Sequence, residues 1–189
     1  SWNRINAFHM DEYIGVLPDA PQSFGNFLRI RIFDKVPFKN VYYLNGHATD
    51  LEEECTRYTS LLSQFPTDIV CLGIGENGHI AFNDPDVANF NDHKLVKIVK
   101  LDHVCRQQQV NEKCFETLEQ VPTEALTLTI PALLKAKWMF CIVPFKNKSQ
   151  AVYRTIHGDI SEKCPASILR RKEKSSLYLD TESAQLLNL

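Results

Sequence analysis

The residues best suited to chemistry fall in two short segments. In His9-Met-Asp-Glu-Tyr13, Asp11 and Glu12 close an extended run. A carboxylate placed there can abstract a proton alpha to a carbonyl. Gly73-Ile-Gly-Glu-Asn-Gly-His-Ile-Ala-Phe-Asn-Asp-Pro85 packs three glycines, a histidine and two carboxylates into a turn that follows an apolar run. Glycines such as Gly75 and Gly78 let backbone N–H groups approach an anion or a sugar closely. The spacing is neither the dinucleotide-binding G-x-G-x-x-G nor a P-loop, so no nucleotide site is indicated. His79 and Asp84 stand five apart, near enough in a loop for the carboxylate to orient the imidazole and raise its basicity. Each segment alone also has a plain structural explanation, as capping acids or a loop histidine. Their joint placement points to acid-base catalysis.

The elements that must position these residues alternate in type. Arg4 to Met10 reads as extended, and Pro21 to Val36 carries apolar residues at helical spacing. Val41 to Leu44 predicts a strand, and Asp50 opens a helix to about Gln64 with Glu52 to Glu54 at its positive end. Asp68 to Gly75 is a continuous apolar run, as expected of a parallel strand buried on both faces. Leu95 to Leu101, Ala125 to Ile130, Trp138 to Pro144 and Ser176 to Leu179 predict further strands. Asp102 caps a helix to about Phe115, Ser149 to His157 forms another that ends at Gly158, and Thr181 starts a terminal helix. The expected fold is α/β, a Rossmann-like three-layer sandwich with a mostly parallel sheet and helices on both faces. Ligands bind such sheets beyond the strands' carboxyl ends, here the loops after Met10, Gly75, Ile130 and Pro144.

Bulk properties narrow the field. With 189 residues and 44% hydrophobic content the chain can fill one sizeable core, so residues 1–189 read as a single domain. A net charge of −2 gives no broad basic field for nucleic acid, and the run Arg170, Arg171, Lys172, Lys174 reads as a solvated loop. Six cysteines (Cys55, Cys71, Cys105, Cys114, Cys141 and Cys164) lie far apart with no C-x-x-C pair. That spacing argues against a zinc site and a disulfide scaffold, and suits core thiols in a reducing cytoplasm. No apolar run reaches the roughly 18 residues of a membrane span.

The run Met10-Asp-Glu-Tyr-Ile-Gly15, with Pro21-Gln-Ser-Phe24 after it, and the Gly73 to Pro85 segment resemble the two signature segments of the glucosamine-6-phosphate deaminase family. Leu44-Asn-Gly46, Val121-Pro, Ala125-Leu-Thr127, Lys148 and Pro165-Ala-Ser-Ile-Leu169 extend the resemblance over nearly the whole chain. The 6-phosphogluconolactonases share that fold with D-E-R and D-G-H-T patterns. Asp-Glu-Tyr and Asn-Gly-His-Ile stand here instead, so the deaminase branch fits better.

The resemblance implies conversion of glucosamine 6-phosphate to fructose 6-phosphate and ammonia in the cytoplasm, without metal or cofactor. Asp11 would shuttle the proton between C2 and C1, and His79 would open the sugar ring with Asp84 and Asn77 holding it. Gly75, Gly78 and Lys148 would contact the phosphorylated amino sugar. The family's phosphate-binding arginine has Arg106 or Lys113 as its candidate here. Many deaminases carry Asp where Asn77 stands and Glu where Asp84 stands, so this relay has one carboxylate fewer and a shorter arm. Family members also begin with roughly sixty further residues that include a phosphate loop at a helix N-terminus, and the expectation is of an N-terminally incomplete domain that can form homo-oligomers. The alternatives are galactosamine 6-phosphate as substrate, lactone hydrolysis as in 6-phosphogluconolactonase, and a sugar-phosphate-sensing module without turnover.

Overall fold

In the computed structural model, which describes residues 1–188, strands and helices alternate along an α/β chain. The strands are β1 (Asn6–Phe8), β2 (Asp11–Tyr13), β3 (Asn40–Tyr42), β4 (Ile69–Leu72), β5 (Val96–Lys100), β6 (Glu124–Leu128), β7 (Trp138–Val143) and β8 (Ser175–Leu179). The α-helices are α1 (Phe24–Leu28), α2 (Leu51–Gln64), α3 (His103–Asn111), α4 (Ile130–Leu134) and α5 (Ser149–His157).

Local chemistry explains most boundaries. The Asp50 carboxylate accepts from the Glu53 amide at 2.9 Å and starts α2, with Glu52, Glu53 and Glu54 against the helix's positive end. Asp102 caps α3 by accepting from the Cys105 amide. Thr129 caps α4, whose first turn holds Pro131. That cap corrects the expected strand over Ala125 to Ile130, because β6 stops at Leu128 and the chain turns helical. Helix α3 also stops before Phe115: Lys113 takes φ +60°, which breaks the helical run. The helical spacing after Pro21 splits into α1 and a π-helical turn over Arg29–Phe33. The segment after Thr181 forms hydrogen-bonded turns and no regular helix.

The strands form three ladders and not the single sheet expected. β1 pairs β3 in parallel, and β4, β7 and β8 make a parallel sheet. β6 lies between β2 and β5, antiparallel to both, so the strands around Leu95 and Ala125 depart from the parallel pattern. A central core of Tyr58, Leu126, Ile130, Leu133, Met139, Val143 and Val152 binds these ladders to the helices. A smaller cluster gathers Tyr13, Phe82, Val99, Cys105 and Ala125 beside β2.

The parallel sheet is covered on one face only. Val70, Leu72, Met139, Cys141 and Val143 point into the core, while Ile69, Trp138, Ile142 and Tyr178 are each more than two-fifths exposed. Cys71 is exposed as well, which corrects its reading as a core thiol. Strand β4 is thus buried on one face and not on both. No described helix is long and apolar enough to cross a membrane.

Candidate active site

β6 brings the two chemical segments together. Asp11 pairs with Thr127 and the Met10 carbonyl accepts from the Leu128 amide, which fixes the first segment along β6. From the other side the Thr127 hydroxyl accepts the Phe82 amide at 3.1 Å, and the Asn83 side-chain amide donates to the carbonyls of Ile80 and Leu128. The glycine loop, leaving the carboxyl end of β4, is thereby anchored to the same strand as Asp11. β7 runs parallel beside β4, so the loop after it emerges on the same edge. There the Asn147 amide donates to the Glu76 carboxylate at 2.7 Å, and Lys148 follows.

Within the glycine loop the His79 ring has defined partners. Its Nδ1 lies 2.9 Å from Asp84 Oδ1 and 2.8 Å from Asn77 Oδ1. The Asn77 Nδ2 group donates to Asp84 Oδ1 and Asp102 Oδ2, both at 2.9 Å. Asn77 therefore separates two carboxylates and bridges each to the imidazole, as a neutral amide with both donor and acceptor ends can. Asp84 is fully buried. Burial opposes its charge, yet the His79 hydrogen bond and charge and the Asn77 amide together carry its pKa below the ordinary carboxylate value. Asp84 is thus a fixed anion, suited to orient His79.

Asp11 differs. It keeps some solvent contact, but desolvation of its carboxyl pushes the pKa up to about 6, while His9 and His79 pull the other way. A carboxylate of that basicity is matched to taking and returning a proton near neutrality. Its neighbour Glu12 is buried and accepts from the Tyr13, Phe24 and Gly25 amides and the Ser23 hydroxyl. Despite burial these bonds, with that of His9, lower its pKa. Glu12 folds the start of α1 onto β2. The side-chain alternation of a strand gives the two acids different surroundings.

Gly75 and Gly78 shape the loop. A side chain at Gly75 would collide with the His79 ring, and Gly78 takes φ +93° against Cys164. Their amides are engaged within the loop, Gly75 donating to the His79 carbonyl and Gly78 to that of Gly75. Lys148 is buried, its ammonium 3.3 Å from the Glu112 carboxylate. Arg106 lies elsewhere: its guanidinium donates to the carbonyls of Leu118 and Val121 and braces the turn before β6. Lys113 lines an open cavity of about 830 Å³ with Gln22, Cys114 and Phe115.

Sequence reasoning missed Cys105, Gln108 and Glu112. Gln108 receives the Glu76 amide and donates to Glu112, joining α3 to the glycine loop. Cys105 lies against Asp84. The usable signal was the cap Asp102, which fixes the direction of α3 and hence which residues face the loop. Strain concentrates here too. The three non-glycine residues with positive φ among those described are Ala81, Lys113 and Phe145, and each lies in a segment bordering this region.

Comparison with known proteins agrees with the geometry. Residues 1–178 match the family described as glucosamine-6-phosphate isomerases/6-phosphogluconolactonase. A glucosamine-6-phosphate deaminase of Bacillus cereus (strain B4264) is 40% identical over 184 residues, 97% of this chain and 68% of that protein. One from Listeria innocua is 38% identical over 97% of this chain and 76% of its own length. The solved structure of a monomeric glucosamine-6-phosphate deaminase superposes with a TM-score of 0.91 at 35% identity, covering 98% of this chain and 76% of that one. The 6-phosphogluconolactonase of Thermotoga maritima, at 22% identity and a TM-score of 0.73 over 94% of this chain and 73% of that one, shares the fold. Sequence, fold and the His79 loop agree, and the chain belongs to the glucosamine-6-phosphate isomerase/6-phosphogluconolactonase family.

Proposed function

We propose that this protein converts glucosamine 6-phosphate and water to fructose 6-phosphate and ammonia. The observation that carries the reading is the pairing of an oriented histidine with a carboxylate of raised pKa, the loop of one and the strand of the other both tied to β6. His79, held by Asp84 and Asn77, moves the proton between the ring oxygen and the C1 hydroxyl and so opens the pyranose. Asp11 then takes the C2 proton while a proton from the C2 ammonium passes to the C1 oxygen, leaving an enolamine, and Asp11 returns its proton to C1. The resulting C2 iminium adds water and expels ammonia, leaving the ketone. The aldose-ketose step moves one proton from carbon to carbon and needs no redox partner.

Lys148 supplies a point charge for the phosphate dianion, and binding there requires Glu112 to yield its place. Lys113, which lines the open cavity, is the second cation proposed for the phosphate. Gly75 and Gly78 serve the substrate by keeping the loop close to the imidazole. The reading includes one domain working in the cytoplasm, with galactosamine 6-phosphate as the competing substrate.

An ammonia-coupled assay with both amino-sugar phosphates tests it, beside His79→Ala and Asp11→Asn. Release lost in both variants supports the scheme. Lactone hydrolysis that persists in Asp11→Asn, with no ammonia from the parent protein, overturns it.

A further inference from the structure

We propose that His79, Asp84 and Cys105 form a binding site for a thiophilic divalent cation of the Zn2+ class, and that its occupation switches off the acid-base chemistry of His79. One ligand atom from each residue, a ring nitrogen, a carboxylate oxygen and a thiol sulfur, lies within 4.8 Å of the other two. A tetrahedral ion with bonds of about 2.0 to 2.3 Å draws such a triangle together with small side-chain movements. The mixed nitrogen, oxygen and sulfur set suits a borderline-soft ion and does not suit Mg2+ or Ca2+.

Two further features point to a cation. Asp84 Oδ2 is buried and takes nothing from the Asn77 amide or His79, which both engage the other oxygen. The Cys105 thiol lies against this carboxylate, so a cation that displaces the thiol proton sits between a sulfur and an oxygen already in contact. The surroundings are also strongly negative. Asp84, Asp102 and Asp11 all act on Cys105, which burial and these charges hold as a neutral thiol. A dication reverses that balance, since coordination expels the thiol proton to solvent and leaves a metal-bound thiolate. His79, with 13% of its side chain exposed, is the member solvent reaches, so the ion enters from the open side of the imidazole. Once bound, it holds the ring nitrogen's lone pair and breaks the contact with Asp84.

The metal site stands apart from the proposed reaction, whereas the inhibition rests on it. The test therefore has two arms. In the first, Co2+ is titrated into the full chain carrying Cys71→Ser and Cys114→Ser, which removes the exposed thiols. A thiolate-to-cobalt charge-transfer band should appear, with about one proton released per ion. The band should vanish when Cys105→Ser or Cys105→Thr is added, in samples whose thermal melts show them folded. A band that survives both changes, or no band at all, overturns the site. In the second arm Zn2+ should inhibit ammonia release and EDTA should restore it. The inhibitory concentration should rise at least about tenfold in Cys105→Ser; inhibition indifferent to Cys105 overturns the switch. A Cys105-dependent band in a protein that releases no ammonia supports the metal site while refuting the deaminase reading.

Discussion

At the scale of single residues, the proposed function rests on two aspartates in opposite environments. Asp84 accepts two strong donors and stays ionised, whereas Asp11 is desolvated and holds its proton up to about pH 6. Deamination is expected to fall on the acid side along a limb near pH 6, as Asp11 loses its ionised form. The same shift fixes a stability effect. Folding raises the Asp11 pKa from 3.8 to about 6, so its contribution is full below 3.8 and is lost as pH rises through 6. Asp11→Asn should therefore raise Tm at mildly alkaline pH, with the gain fading below the ordinary carboxylate pKa. Thermal melts across pH check this, and no gain at high pH would contradict a desolvated charge.

At the scale of elements, β6 is the part on which the site hangs. Thr127 is fully buried, and its hydroxyl accepts the Phe82 amide while donating to the Leu128 carbonyl. Thr127→Val keeps the shape and removes both bonds, so it should cost about 1–3 kcal/mol in urea unfolding. Activity should drop further than stability explains, as the His79 loop comes away from β6, the strand with which Asp11 pairs. A second expectation concerns the end of α3. Glu112 occupies Lys148 in the free protein and is steadied by Gln108. Glu112→Gln removes that competitor and should tighten inorganic phosphate binding and lower KM about two- to fivefold, with kcat little changed. Calorimetry with phosphate reads the change directly, and weaker binding would show that Glu112 supports Lys148 and does not compete for it.

At the scale of the molecule, the uncovered face of the parallel sheet is the largest departure from an evenly buried core. Ile69, Trp138, Ile142 and Tyr178 form one apolar surface, with the Lys174 ammonium 4.7 Å from the Trp138 ring centroid. Parallel sheets are ordinarily covered on both faces, and a contiguous apolar patch of this kind binds hydrophobic dyes or self-associates. Ile69→Thr with Ile142→Thr should reduce ANS fluorescence while changing stability by no more than about 0.5 kcal/mol per site. A large loss of stability would show that these side chains are buried in solution.

Much of this was written in local chemistry. The caps Asp50 and Asp102, the alternation of strand and helix, and the segments around Asp11 and His79 rest on short-range spacing, which a sequence displays directly. Other features could not be read that way. The antiparallel placement of β6, the exposed side of β4 and the different surroundings of Asp11 and Glu12 depend on which strands lie side by side. Arg106 is a phosphate candidate through the family resemblance, whereas its contacts with Leu118 and Val121, which brace a turn, are visible only in the fold. Cys105 and Glu112 lie far from His79 and Lys148 along the chain, and the direction of α3 brought them near. Most strands and helices and the candidate reactive side chains were legible along the chain, because they follow from propensity, capping and spacing. Which charges are desolvated and which are paired emerges only in the folded chain, because burial and partnership belong to distant residues brought into contact.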